Sequence, residues 1–173
     1  SNILRKAASE NAETTFENLS DGIGQRIMTQ KAIIEKVELL NDDGLRCLSY
    51  RSGESARVRA IVRFSEFAQS PVIACSIRDP EGLIVYDFTT EWAQIKTPNF
   101  EANTTATIEF PIELNLSSGT FQLGVNLAYK DLSRYYDRID RALDFVIVSS
   151  NGSRGISDLK AKIEIKNQSG EPL

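Results

Sequence analysis

The chain has 173 residues, 41% of them hydrophobic, with a formal net charge of -4 and a pI near 5.0. That apolar content suffices for a buried core, and the acidic balance without a long basic run argues against a surface that tracks nucleic-acid phosphates. Apolar stretches such as Pro71 to Ile77 fall far short of the roughly 18 to 20 residues that cross a bilayer.

Taken in order, Ser1 to Lys6 lacks both an apolar signal-peptide core and an initiating Met, which suggests a fragment of a longer protein. Residues 1–28 are polar and without steady periodicity. They predict a linker or N-terminal arm, with at most a helical turn or two over Ala7 to Leu19, ended by Gly22 and Gly24. Residues 29–166 form the expected domain, and 167–173 a flexible tail.

From Ala32 the pattern turns to period two. Ile33, Val37 and Leu39 alternate with Ile34, Lys36 and Glu38, an imperfect strand. Asn41-Asp42-Asp43-Gly44 and Tyr50-Arg51-Ser52-Gly53-Glu54 predict turns. Between Arg57 and Phe64, Val58, Ala60, Val62 and Phe64 share one face. Pro71 to Asp79 is the next strand, with Ile73, Cys75 and Ile77 together, and Asp79-Pro80-Glu81-Gly82 turns it back into Leu83 to Phe88. Thr104 to Phe110 alternates again. Thr120 to Lys130 is the cleanest strand: Phe121, Leu123, Val125, Leu127 and Tyr129 oppose Gln122, Gly124, Asn126 and Ala128. Asp131 to Arg141 reads as a short helix or an ordered loop, and Leu143 to Val148 and Leu159 to Ile165 as the last strands. About eight short strands with turn chemistry between them predict an all-β fold, an antiparallel sandwich of two sheets.

The residues exclude much chemistry. The chain has no histidine, which removes Ser-His-Asp and Cys-His catalysis and the commonest metal ligand. Gly22-Ile23-Gly24 lacks the strand, later glycine and lysine of a phosphate loop, and no CxxC pair offers a zinc site. Asp42-Asp43-Gly44 lacks the spaced acidic ladder of a calcium loop. No cofactor and no metal are expected. Cys47 and Cys75 read as free thiols. Among 24 acidic residues many chance carboxylate pairs arise, so a glycosidase is a distant reading.

Binding remains. Sugars are held by aromatic faces and by planar polar side chains that bond vicinal hydroxyls. Gln122 and Asn126, spaced by Gly124, would form a low-relief polar face with Ala74, Ser76 and Arg78 if their strands share a sheet. The same pattern also describes an ordinary solvated sheet face. Trp92, in Thr89-Thr90-Glu91-Trp92-Ala93, is either a stacking platform or a plug on the open end of the sandwich. Tyr135 and Tyr136 pose the same choice, whereas Tyr129 shares the parity of the apolar stripe. The candidate carbohydrate-binding residues are Ser76, Arg78, Trp92, Gln122 and Asn126.

Four motifs in order carry a family resemblance: Tyr50-Arg51-Ser52-Gly53-Glu54; Pro71 through Asp79-Pro80-Glu81-Gly82 to Thr90; Leu114-Asn115-Leu116-Ser117-Ser118-Gly119-Thr120-Phe121; and Asp140-Arg141-Ala142-Leu143-Asp144-Phe145-Val146-Ile147-Val148. Over about residues 31 to 150 the chain resembles the C-terminal carbohydrate-binding domain of the Wzt family, the ATP-binding subunit of O-antigen polysaccharide ABC exporters. The resemblance implies an immunoglobulin-like sandwich that follows an ATPase domain. It implies a cytoplasmic, non-catalytic role at the inner membrane: binding the terminally modified end of a lipid-linked O-antigen polysaccharide for export through the membrane subunit. It also implies a homodimer that exchanges a C-terminal strand, for which Leu159 to Ile165 is the candidate and Ser149 to Ser157 the hinge. The competing reading is an immunoglobulin-like interaction or dimerisation module without a sugar site, suggested by the apolar Val146 and Val148 on the face opposite Leu143, Phe145 and Ile147.

Overall fold

The computed structural model describes residues 28–149 and 152–165. The expected arm, apart from Met28, and the 167–173 tail lie outside them. Eight strands follow in chain order: β1 (Ala32–Leu40), β2 (Ser49–Arg51), β3 (Ser55–Phe64), β4 (Val72–Arg78), β5 (Ile84–Thr89), β6 (Thr104–Glu113), β7 (Gly119–Ala128) and β8 (Tyr135–Ser149). They form a three-stranded sheet, β1-β3-β6, and a five-stranded sheet, β2-β8-β7-β4-β5. The all-β sandwich is therefore present. Every pairing is antiparallel except that of β2 with β8, where the chain crosses from one sheet to the other.

The period-two pattern sets which side chains enter the core. Val58, Ala60, Val62 and Phe64 of β3 are all buried, as are Ile73, Cys75 and Ile77 of β4 and Phe121, Leu123, Val125 and Leu127 of β7. Ala106, Ile108, Phe110 and Ile112 of β6, beside β3 in the three-stranded sheet, add to the same core. Arg59 and Arg63 point outward from β3, pairing with Glu109 at 2.8 Å and Glu35 at 2.7 Å. These are exposed pairs of small individual worth.

Three expectations need correction. In β1 the register slips between Ile34 and Lys36. The bulge reverses the alternation, so Ala32 and Ile34 are buried before it and Leu39 after it, while Ile33 turns away from the core. Asp137 of β8 accepts the Ile34 N–H at 2.7 Å, which ties the bulge to the second sheet.

The expected helix or loop at Asp131 to Arg141 is instead largely strand, because β8 begins at Tyr135 and runs 15 residues. Tyr136 is buried and stacks on Tyr129 at 3.8 Å, with the Arg134 guanidinium over the Tyr129 ring, so this pair caps the core.

Leu159 to Ile165 pairs with no strand among the described residues. Leu159, Ile163 and Ile165 stay 85%, 91% and 66% exposed. A strand needs a partner edge, and this segment is led away from its own domain. Asp158, buried, accepts the Ser52 hydroxyl at 2.8 Å and donates its N–H to the Asn115 carbonyl at 3.0 Å. Lys160 then takes a φ of 54°, turning the chain outward.

Candidate carbohydrate-binding face

The outer face of the five-stranded sheet is built by register. Arg78 of β4 pairs with Gln122 of β7, and Gln122 with Asp144 of β8. The next row places Asp87 of β5, Ser76 and Gly124 side by side. The third joins Thr89, Ala74, Asn126 and Arg138. Ser76, Arg78, Gln122 and Asn126, selected by parity, thus share one face. Trp92 lies off these rows. It occupies the turn after β5, where its N–H donates to Thr89 Oγ1 at 3.0 Å, and its side chain is 68% exposed.

The centre of the face is shaped by an irregularity in β8. Between Leu123 and Val125 the partner on β8 steps from Leu143 to Ile139, so extra β8 residues loop over Gly124. A Cβ on Gly124 would sit 2.7 Å from the Asp140 carbonyl oxygen, 2.9 Å from that of Ile139 and 2.9 Å from Ser76 Oγ. The glycine therefore makes room for backbone from its own sheet. Ser76, 1% exposed, lies beneath this bulge, and its hydroxyl has no hydrogen-bond partner among the described residues. Asn126 Oδ1 is likewise buried and unpartnered. Buried polar atoms left unpaired are uncommon, and both belong to this face.

Above them sits an ion cluster that sequence reasoning missed. Asp140 accepts from Arg138 Nε at 2.8 Å and faces Arg78 Nη1 at 3.4 Å. The Arg78 side chain is only 14% exposed. Burial works against the Arg138 charge, but the hydrogen bond and charge of Asp140 outweigh it and leave the guanidinium pKa above its ordinary value. Arg138 also lies over the Tyr135 ring, 5.4 Å from its centroid. The signal is present as Arg138-Ile139-Asp140, a period-two fragment inside the segment Asp131 to Arg141, for which a short helix or an ordered loop is the expectation. Arg141 and Asp144 bond each other at 2.9 Å on the same strand.

The arrangement offers guanidinium and amide donors, carboxylate acceptors and one half-buried aromatic on a shallow surface, a set that matches sugar hydroxyls. A separate cleft of about 390 Å³ between the β5 and β6 edges is lined chiefly by apolar residues such as Ile73, Phe88, Ile108 and Ile112. Such a lining supplies few partners for hydroxyl groups. Among the described residues no group of three or more His, Cys, Asp or Glu is placed to hold a metal, and no helix is long and apolar enough to cross a membrane.

Comparison with known proteins gives three results. No curated protein matches the chain significantly. A solved structure described as the crystal structure of the C-terminal domain of wzt superposes with a TM-score of 0.71 at 19% identity, covering 80% of this chain and 86% of that one. At that identity the likeness establishes the fold. The sequence pattern of the Wzt C-terminal domain matches residues 24–159, most of the chain. The chain belongs to the Wzt C-terminal domain family.

Proposed function

We propose that this domain recognises the terminally modified end of a lipid-linked O-antigen polysaccharide and selects it for ABC-transporter export. Family membership supports a non-catalytic, carbohydrate-binding role in O-antigen export in general. The observation that carries the finer reading is the outer sheet face, where Arg78, Gln122, Arg138 and Asp140 gather around the buried, unpartnered oxygens of Ser76 and Asn126. Arg78, Gln122 and Asn126 contact the glycan, Ser76 shapes the floor under the bulge, and exposed Trp92 stacks on a sugar ring that extends past β5. The full-length subunit works at the cytoplasmic face of the inner membrane with its membrane partner.

The domain acts as a homodimer in which the segment from Leu159 to Ile165 pairs with a second copy. In support, its apolar residues alternate with Lys160, Lys162 and Glu164 and stay exposed beyond the Asp158 anchor. Deletion of residues 159–173 is expected to give a folded monomer by analytical ultracentrifugation; a persisting dimer would refute the exchange. The second reading, an interaction module without a sugar site, is favoured by the exposed Leu48, Val146 and Val148 around the β2–β8 pairing.

Calorimetric titration with the O-polysaccharide of the source organism, native and stripped of its terminal residue, separates these readings. Binding of the native form and loss with the stripped form is expected. Arg78→Ala should weaken that binding about tenfold or more, the scale of one lost charged hydrogen bond. Unchanged affinity in Arg78→Ala, Gln122→Ala and Asn126→Ala alike would remove the face as the site.

A further inference from the structure

The outward positions of β8, β7, β4 and β5 carry three guanidiniums, Arg78, Arg138 and Arg141, and three carboxylates, Asp87, Asp140 and Asp144. They are distributed in a particular way. Arg141 and Asp144 satisfy each other. Asp140 is shared by Arg78 and Arg138, which leaves one positive charge over. Asp87, next to Ser76 on the edge strand, supplies the balancing negative charge and has no ion pair within 4 Å among the described residues.

Charge balance of this kind has a recognisable use. Each guanidinium has five N–H donors, and two salt contacts leave most of them for hydroxyl acceptors. Carboxylate oxygens remain to accept from hydroxyl donors. An uncharged sugar therefore gains hydrogen bonds without disturbing the cluster. A uronate or a phosphorylated sugar meets Asp140 and Asp87 at short range, and must displace Asp140 to reach either arginine. We infer that the outer face takes an uncharged glycan segment, and that Asp140, shared between Arg78 and Arg138, sets this preference together with the balancing charge of Asp87. The inference rests on the carbohydrate reading and adds the substrate class to it. It also assigns Asp140 a role in selection beyond support of the bulge.

The test uses the dimeric domain and two single-charge variants, Asp140→Asn and Asp87→Asn. Asp87 is on the edge strand β5, with β4 and β7 between it and β8, so its variant keeps the test alive if Asp140→Asn fails to fold. The probes are the O-polysaccharide of the source organism, a panel of neutral hexose oligosaccharides, and their hexuronate and hexose-phosphate counterparts, titrated at about 20 and 300 mM NaCl, where exposed charges are respectively weakly and strongly screened. The wild-type domain should prefer uncharged members, with less than about a twofold change between the two salts. Each variant should gain roughly three- to tenfold for the anionic members at low salt, and lose that gain at high salt. Wild-type preference for an anionic member, a steep fall of its affinity with salt, or no gain in either folded variant would overturn the inference while leaving carbohydrate binding intact. No binding of any probe would overturn the carbohydrate reading and this inference with it.

Discussion

Adding one methyl group at Gly124 tests how the face is built. In a strand, Gly→Ala ordinarily stabilises by about 0.5–1 kcal/mol, because glycine has more backbone freedom to lose on folding. Gly124 should reverse that sign. Its φ does not require glycine, but the new Cβ would lie 2.7 and 2.9 Å from two main-chain carbonyl oxygens of β8 and 2.9 Å from Ser76 Oγ. The carbonyls belong to a bulge held by β7 on one side and by the Asp140 ion pairs on the other, so they yield only by moving β8. Overpacking of this kind costs about 1–3 kcal/mol. For a chain of this size that lowers Tm by roughly 2–12 °C. Gly119→Ala is the internal control. There the nearest atoms to the new Cβ are the Phe121 ring at 3.7 and 3.8 Å, an ordinary contact, and the change should be neutral or slightly stabilising. Equilibrium urea unfolding of both variants gives the comparison. If Gly124→Ala were as stable as wild type, with a native spectrum, the β8 backbone would not be seated over that residue.

Two other outcomes follow from buried groups. Burial, the largest influence on Asp137, holds its pKa above the ordinary 3.8 against the Ile34 and Arg138 N–H donors. A carboxyl with a raised folded pKa stabilises fully below the unfolded value, and that contribution is lost as pH rises through the folded value. Asn at this position has no such titration, so from about pH 3 to pH 6 the stability of Asp137→Asn should improve relative to wild type. The opposite trend in pH-dependent urea midpoints would refute the burial argument. Cys75 is 1% exposed, and burial pushes its thiol up to about 12. In the native protein a thiol reagent should modify half-buried Cys47 and spare Cys75 until unfolding, and prompt reaction of both would show that the core opens there.

The parts of the fold legible in the sequence are those where period two runs undisturbed. β3 and β7 alternate without interruption, and their predicted core residues are buried, except Tyr129, which falls just past β7 and is half-buried. Alternation gives Ser76 and Arg78 one parity in β4 and Gln122 and Asn126 one parity in β7, and the β4–β7 pairing brings the two sets onto one face. Elsewhere local backbone irregularity breaks the link between alternation and burial. The β1 bulge exchanges inside for outside within two residues, and nothing in Ile34-Glu35-Lys36 marks it. The β8 bulge is specified from another strand, by the absence of a side chain at Gly124. Gly124, expected only as a spacer on a low-relief face, gives room to backbone, and Ser76, outward by parity, is covered. Arg138 and Asp140 lie inside the segment expected to be a short helix or a loop, so their parity on a strand is not read. Leu159 to Ile165 has a true strand pattern, but pattern alone does not supply the neighbouring edge that makes a strand.

The position of β8 also bears on how the chain reaches this state. It pairs with β7 and β2, its Asp137 anchors the β1 bulge, and Tyr135 and Tyr136 receive the N–H groups of Thr29 and Gln30. Both sheets are thus joined by a segment made late in synthesis, and Tyr50 waits for Ile147 before β2 has any partner in its sheet. Pairings so distant in sequence make for slow folding. A nascent chain halted before residue 135 has every strand partner of β3 and β4, but it lacks Phe145 and Ile147 of the core and leaves β2 and one edge of β7 unpaired. The domain is committed to folding after most of it has been translated, and until then its exposed strand edges are what a chaperone, or another unfinished chain, would meet.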